Sequence, residues 1–513
     1  MPDTLQVPVQ AGTGSTLRVF LRRYVIALSF VNLCYAAVWK RLLDIRKPAE
    51  FTIKTLPASG EYLGAICGVL ICALIVVAFD ALLRRGPRMM RAGVLVAGFA
   101  FLILRGQALL PEQVIPTSAF LLARAPSFAL FGIVGVVLAG AVFRYQEAVT
   151  RAVTLLLLIC APFCVFTFAY SLYAAASPAT LHDRPLAARL PRKPGPRVLW
   201  IVFDEWDQRL SFDARSPNLA MPHVDALRKE SFFAENALPP AGMTILSMPA
   251  LIAGHRVRSE KALGPDSLLV TYDNGTTLPF GARPNIFSEV RDAGMNAAVA
   301  GWFLPYCRTL NSYVTDCWWQ EADFRWNSYG TTFHDAFLNQ PRSLLETARF
   351  SPFGQSLPTL KHLRTFDENF EQSKRIASDN DVQFALFHYD IPHPPFFYDP
   401  KTGRMNGDSW SNYTDGLALL DKAVGDLRAD MERSGVWNNT SIVLTTDHFY
   451  RGSRLVNGKR DQRIPFIVHF PGESAGLSYS RSFNTIVTHD LILALLRSEV
   501  TDAAGLQHWL DRH

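Results

Sequence analysis

Val198-Leu-Trp-Ile-Val-Phe-Asp204-Glu205 is six apolar residues followed by two carboxylates. A run this short, apolar at every position rather than every second one, predicts a strand buried on both faces. Sheets of such strands are parallel, carry helices on both sides, and bind ligands beyond the carboxyl ends of their strands. Asp204 and Glu205 stand at that end. The same arrangement recurs downstream. A strand predicted over 382–389 runs into His388-Tyr-Asp390-Ile-Pro-His393, and one over 441–446 runs into Asp447-His448. Further strands are predicted at 297–302 and 465–470. Helices are predicted at 222–230, 244–253, 287–293, 360–377, 415–434 and 490–497, the fifth with Leu417, Leu420, Val424 and Leu427 on one face. The alternation describes an α/β doubly wound domain over 197–513.

Upstream the chain changes character. Apolar runs at 20–39, 62–83, 92–110, 127–143 and 152–176 each have about the ~20 residues that cross a bilayer. They predict a polytopic α-helical membrane domain of about five transmembrane helices over 1–177, with a linker rich in Pro, Ala and Arg at 178–196. Arg18, Arg22 and Arg23, then Arg84, Arg85, Arg88 and Arg91, then Arg144 and Arg151 fall in segments that this count puts on one side. The positive-inside rule makes that side cytoplasmic. The expected location is therefore the cell (inner) membrane, with the catalytic domain extracytoplasmic, periplasmic in a Gram-negative cell. Lys40, Arg41, Arg46, Lys47 and Lys54 run against the rule and are read as an interfacial helix touching anionic headgroups.

The chain has 513 residues, which calls for at least two domains; 49% are hydrophobic and 19% charged, excluding a disordered chain or a charged coiled coil. Residues 1–177 carry 16 Lys/Arg against 7 Asp/Glu, and the rest carry 35 against 38. The basic excess is thus confined to the membrane part, so nucleic acid is not an expected partner. All 12 histidines lie after residue 177, which places the chemistry there. Five cysteines sit in the apolar runs. Cys307 and Cys317, ten apart in the polar part, predict one disulfide outside the cytoplasm.

Three strand ends thus deliver carboxylates and imidazoles to one sheet edge, the ligand types of zinc and similar divalent ions. Each alone reads equally as turn chemistry; together they favour a metal. Pro239-Pro-Ala-Gly-Met-Thr244-Ile-Leu-Ser247-Met-Pro249 leads a Gly-containing loop into a helix, where backbone N–H groups favour an anion. Thr244 there is either an N-cap or a hydroxyl poised beside a metal to attack phosphorus.

These segments resemble, in order, the alkaline phosphatase superfamily in its sulfatase-like branch, and are most similar to membrane-bound phosphoethanolamine and phosphoglycerol transferases, including lipoteichoic acid synthases. Val198–Glu205 resembles the first strand with its metal-binding acid. Met221-Pro-His-Val-Asp-Ala-Leu227 followed by Ala234-Glu-Asn-Ala237 resembles "TPNLDRL…NAY". Thr244-Ile-Leu-Ser247-Met-Pro249 resembles "T-x-x-S-x-P", whose Thr is the nucleophile. His388–Pro394 has the spacing of "H-x-x-x-x-H-G-P", Val436–His448 resembles "lyDNTlviftSDHG", and Ile464–Gly472 resembles "vPliiwsPG".

The resemblance implies transfer of a phospho-alcohol group from a membrane phospholipid donor to a glycan or lipid acceptor through a phosphothreonine. Thr244 would be catalytic. Asp204, Thr244, Asp447 and His448 would bind one divalent metal ion, zinc first and manganese or magnesium as alternatives, with Glu205 a further candidate ligand. His388, His393, Arg451, Arg454 and Lys459 would bind substrate. Two departures stand out: Phe449 replaces the Gly after Asp-His, and the loop 450–460 lacks the family's further His, which leaves its cations to hold an anionic group. A sulfatase is disfavoured, because position 244 is Thr rather than Cys or Ser and Met248 replaces an Arg. A phosphodiesterase or other sulfatase-like ester hydrolase is the alternative. A non-catalytic membrane-anchored lipid- or glycan-binding protein is the second.

Overall fold

The computed structural model describes residues 13–43, 51–54, 56–106, 137, 140–177, 181, 184–321, 330–346, 356–405 and 411–513. The chain forms two compact units. One comprises Met1–Ile45, Pro57–Ala179 and Tyr329–Leu345; the other comprises Arg46–Leu56, Thr180–Ser328 and Glu346–His513. Two segments therefore depart from the linear division at 177–196.

The first unit is helical: Thr13–Cys34, Ala36–Leu43, Ser59–Leu83, Arg88–Gly106, Gln146–Ile159, Ala161–Ala176 and, from far downstream, Phe333–Leu345. Among the described residues, Ser59–Leu83 and Gln146–Ala176 are long and apolar enough to cross a membrane. Thr16–Cys34 with Ala36–Leu43 makes a third if that pair, bent by 68°, is one span. Among the described residues, two or three of the five expected helices thus stand as candidate spans. The run 92–110 falls on Arg88–Gly106, and its end, with most of 127–143, lies outside the described residues. Phe333–Leu345 packs on Ser59–Leu83 through small residues. A Cβ on Gly60 would stand 2.5 Å from the Phe333 nitrogen, and one on Gly64 3.0 Å from Ala336 Cβ. No larger residue permits that approach.

Of the basic segment 40–54, Arg46 and Lys47 lie outside the described residues. Arg41 turns inward to Glu61 at 3.2 Å, with side chains 6% and 2% exposed. Lys54 belongs to the other unit, where its Nζ donates to the Trp319 carbonyl at 2.6 Å and its N–H to Glu321 at 2.8 Å.

The second unit is built on a nine-stranded sheet. Its strands are β1 (Arg197–Phe203), β2 (Phe232–Leu238), β6 (Ala297–Phe303), β7 (Val314–Glu321), β8 (Phe384–Tyr389), β9 (Thr440–Thr446), β10 (Ile464–His469), β11 (Leu477–Tyr479) and β12 (Phe483–Asn484). The order is β11-β2-β10-β9-β1-β8-β6-β7, with β12 beside β2. β1 lies inside it, parallel to β8 and β9. All seven of its residues are buried. Val198, Trp200 and Val202 join the core on one face, and Leu199, Ile201 and Phe203 the core on the other. That explains the absence of alternation in the sequence. β10 runs antiparallel to both its neighbours. A separate sheet of β3 (Val257–Gly264), β4 (Ser267–Tyr272) and β5 (Thr277–Pro279) follows the helix Thr244–Ala253 and was not foreseen.

Candidate active site

β1 delivers Asp204, and its register fixes what lies beside it. Phe203 pairs with Thr446 of β9 and with Tyr389 of β8, so Asp447 and Asp390 follow on either side of Asp204. Thr446 locks the turn: its hydroxyl donates to the Phe203 carbonyl and accepts from the Trp206 N–H at 3.1 Å. Asp447 Oδ1 accepts the His448 N–H at 2.8 Å.

The helix Thr244–Ala253 brings the fourth residue. Its N-cap is Met243, so the Thr244 hydroxyl is not a cap. That oxygen stands 3.3 Å from Asp204 Oδ2 and 3.3 Å from His448 Nε2, in a residue 6% exposed. The ligand atoms of Asp204, Asp447 and His448 all lie within 4.8 Å of one another. His448 Nδ1 faces the Phe449 carbonyl at 3.0 Å. A carbonyl only accepts, so Nδ1 carries a proton, and Nε2 is the ring nitrogen that faces Thr244 and the two carboxylates. Asp204 Oδ1 and Asp447 Oδ2 are buried with no hydrogen-bond partner, a costly state for charged oxygens. Burial first, then the neighbouring Asp447 charge, push the Asp204 carboxyl well above its usual range. Two buried carboxylates, one imidazole nitrogen and a hydroxyl are a donor set that fits a divalent cation. Phe449, where the resemblance expects Gly, is buried beneath the Arg460 guanidinium at 4.7 Å and holds His448 through its carbonyl.

The neighbouring Glu205 is held by other groups. Its φ of +65° is a left-handed conformation that a residue with a Cβ seldom adopts. The Tyr413 hydroxyl holds its carbonyl at 2.7 Å. Its carboxylate, 3% exposed, receives Arg451 Nε. The candidate ligand of the sequence reading is therefore a guanidinium partner. Arg451 Nη2 reaches His393 Nε2 at 3.4 Å, and His393 Nδ1 donates to the Pro394 carbonyl at 2.6 Å. Since Arg only donates, His393 is neutral with both nitrogens engaged, and burial holds its pKa down at about 4. Its Nε2 is the atom that meets Arg451. Arg451 is itself 48% exposed. Arg454 and Lys459 lie exposed on the same loop, whose Lys459 carbonyl accepts from Arg209 at 3.1 Å.

His388 is fully buried, paired in register with Val202 of β1. Its Nδ1 meets the Tyr306 hydroxyl at 2.9 Å, and its Nε2 has no hydrogen-bond partner. Burial lowers its pKa to about 4. Tyr306 and Tyr413 were not singled out from sequence, because each acts through a partner distant in the chain. Tyr306 fits only because residue 301 is Gly: a Cβ there would stand 2.7 Å from its ring. A disulfide joins Cys307 to Cys317 with Cα atoms 5.5 Å apart. It ties the turn carrying Tyr306 to β7, where Cys317 pairs with Val299.

The sulfatase family profile matches residues 196–497. An ulvan-active sulfatase of Formosa agariphila is 23% identical over 344 residues, 60% of this chain and 63% of that protein, so the chain spans less than two thirds of this relative's length. Among solved structures, Ps i-CgsB in complex with k-i-k-neocarrahexaose aligns with a TM-score of 0.43 at 16% identity, over 61% of this chain and 74% of that one. The phosphonate monoester hydrolase of Agrobacterium radiobacter aligns with a TM-score of 0.40 at 15% identity, over 59% and 74%.

Proposed function

This chain belongs to the sulfatase family and is an enzyme of the sulfatase-like type; from that premise we propose that it transfers a phospho-alcohol group, of the phosphoethanolamine or phosphoglycerol kind, from a membrane phospholipid to a glycan or lipid acceptor of the cell envelope. The observation that carries this is the Thr244 hydroxyl, uncapping and buried, between Asp204 and His448. A nucleophile is required at that place, and this one is an alcohol, not a residue that sulfatases convert to formylglycine.

The Thr244 oxygen attacks the phosphorus of the donor phosphodiester and gives up its proton. The bond from phosphorus to the diacylglycerol oxygen breaks, and that oxygen takes up a proton, leaving the phospho-alcohol esterified to Thr244. An acceptor hydroxyl then attacks the same phosphorus and loses its proton, and Thr244 regains one. His388, whose Nε2 is buried without a hydrogen-bond partner while Nδ1 meets the Tyr306 hydroxyl, is the candidate to bind an oxygen of the substrate. Arg451, held by Glu205 and His393 with half its surface open, is placed to bind a non-bridging phosphate oxygen. A divalent cation held by Asp204, Asp447, His448 and Thr244, zinc first and manganese or magnesium as alternatives, would supply Lewis-acid stabilisation of the charged oxygens. The apolar helices support anchorage in the cell membrane, with this unit on the extracytoplasmic side, where a disulfide persists.

Hydrolysis is the second reading, supported by the sulfatase among the relatives; water would then replace the acceptor. The test is the metal-loaded full-length protein with phospholipid labelled in the headgroup. The expected result is label on the peptide carrying Thr244, then on an added acceptor. Label released only to water would favour hydrolysis. Neither lipid cleavage nor a labelled Thr244 would overturn both.

A further inference from the structure

We propose that the loop from Arg451 to Arg460 is a membrane-contact element that seats on an anionic bilayer surface; this deepens the lipid-donor reading and rests on it. The sequence Arg451-Gly-Ser-Arg-Leu-Val-Asn-Gly-Lys-Arg460 carries four cations and no acid. Leu455 and Val456 stand at its tip, 55% and 45% exposed. They lie on the turn Ser453–Asn457, which Gly458 closes at φ +77°. Arg454, Lys459 and Arg460 flank them, all exposed.

The loop is not a loose excursion. Arg451 is fixed to Glu205, Ser453 is fully buried, Asn457 and the Lys459 carbonyl bind Arg209, and Arg460 lies over Phe449. Anchored at both ends, it holds two exposed aliphatic side chains on a segment that also exposes Arg454, Lys459 and Arg460. Exposed aliphatics rimmed by Lys and Arg suit the headgroup boundary, where the apolar tips enter and the cations meet anionic phosphates. A protein partner would be met by the same aliphatics, but charge of one sign only, beside a site read as taking a phospholipid, favours the bilayer. The loop also carries Arg451 of the site, so seating it would bring headgroups to that guanidinium.

The test uses the full-length protein in nanodiscs. Cys34, Cys67, Cys72, Cys160 and Cys164 are replaced by Ser, and Val456→Cys carries an environment-sensitive fluorophore. In discs of phosphatidylcholine with phosphatidylglycerol, a headgroup-borne nitroxide lipid should quench emission about twofold or more, and Arg454→Glu with Lys459→Glu should remove most of that quenching. Quenching by aqueous iodide with none by the nitroxide lipid would overturn the proposal. So would a spectral shift that follows protein concentration and not lipid, which would mean a second copy. In a second arm, Leu455→Asp with Val456→Asp should slow turnover of bilayer phospholipid about tenfold while leaving turnover of bis(4-nitrophenyl) phosphate unchanged; equal loss on both substrates would count against it. Quenching does not require catalysis. Lipid contact in a protein without transferase or hydrolase activity would sink the function reading and leave this one standing.

Discussion

Thr244→Ala should separate a nucleophile from a structural hydroxyl, because the two roles differ by several kcal/mol. The fold has little to lose. The hydroxyl caps no helix, since Met243 is the N-cap. Its two polar contacts, to an Asp204 oxygen and to His448 Nε2, are both long at 3.3 Å and together should contribute roughly 1–2 kcal/mol. Ala also raises helix propensity by a few tenths of a kcal/mol, offsetting part of that. Loss of the attacking oxygen should instead lower turnover by about 10⁴ or more, on the order of 5 kcal/mol of barrier. The assay pairs thermal unfolding with turnover of phospholipid and metal content. Thr244→Ser, which keeps the oxygen, should stay within about tenfold of the parent. The reasoning fails if Thr244→Ala retains a tenth of the activity. It also fails if Ser proves as inactive as Ala with metal content unchanged.

Other expectations follow from neighbouring contacts. Asp447→Asn and His448→Ala should lose bound metal in step with activity, read by elemental analysis; full occupancy in both would remove them from the ligand set. Arg451→Ala strands the Glu205 carboxylate, and because Arg451 is half exposed the cost should be only about 1–2 kcal/mol. Arg451→Met with Glu205→Gln should recover that stability without recovering turnover, and recovery of both would make the pair purely structural. Cys307→Ser with Cys317→Ser should cost roughly 2–3 kcal/mol by the chain-entropy model for a ten-residue separation. Peptide mapping of protein from its own membrane should find these two cysteines bonded.

Sequence alone determined what depends on local pattern. The unalternating run at 198–203 could be satisfied only by burial on both faces, and it became an interior strand of the sheet. Asp204, Asp447 and His448 were legible because each sits directly after such a strand, where topology leaves no choice of edge. The helix Thr244–Ala253 matches its predicted range, a Gly-containing loop preceding it, and the structure ends it at Gly254 in the left-handed region. What stayed hidden depended on partners far apart in the chain. That Glu205 serves Arg451 required a left-handed φ and a contact across 246 residues. That His393 is spent on Arg451 followed from which ring nitrogen meets which acceptor. Tyr306 reached His388 only through the missing Cβ of Gly301. Segments 46–56 and 329–345 changed units because packing answers to shape, and composition does not encode it. Strand and helix follow from the period of hydrophobicity, whereas the work of each polar group follows from the one atom placed within hydrogen-bonding reach, and only the folded chain decides that.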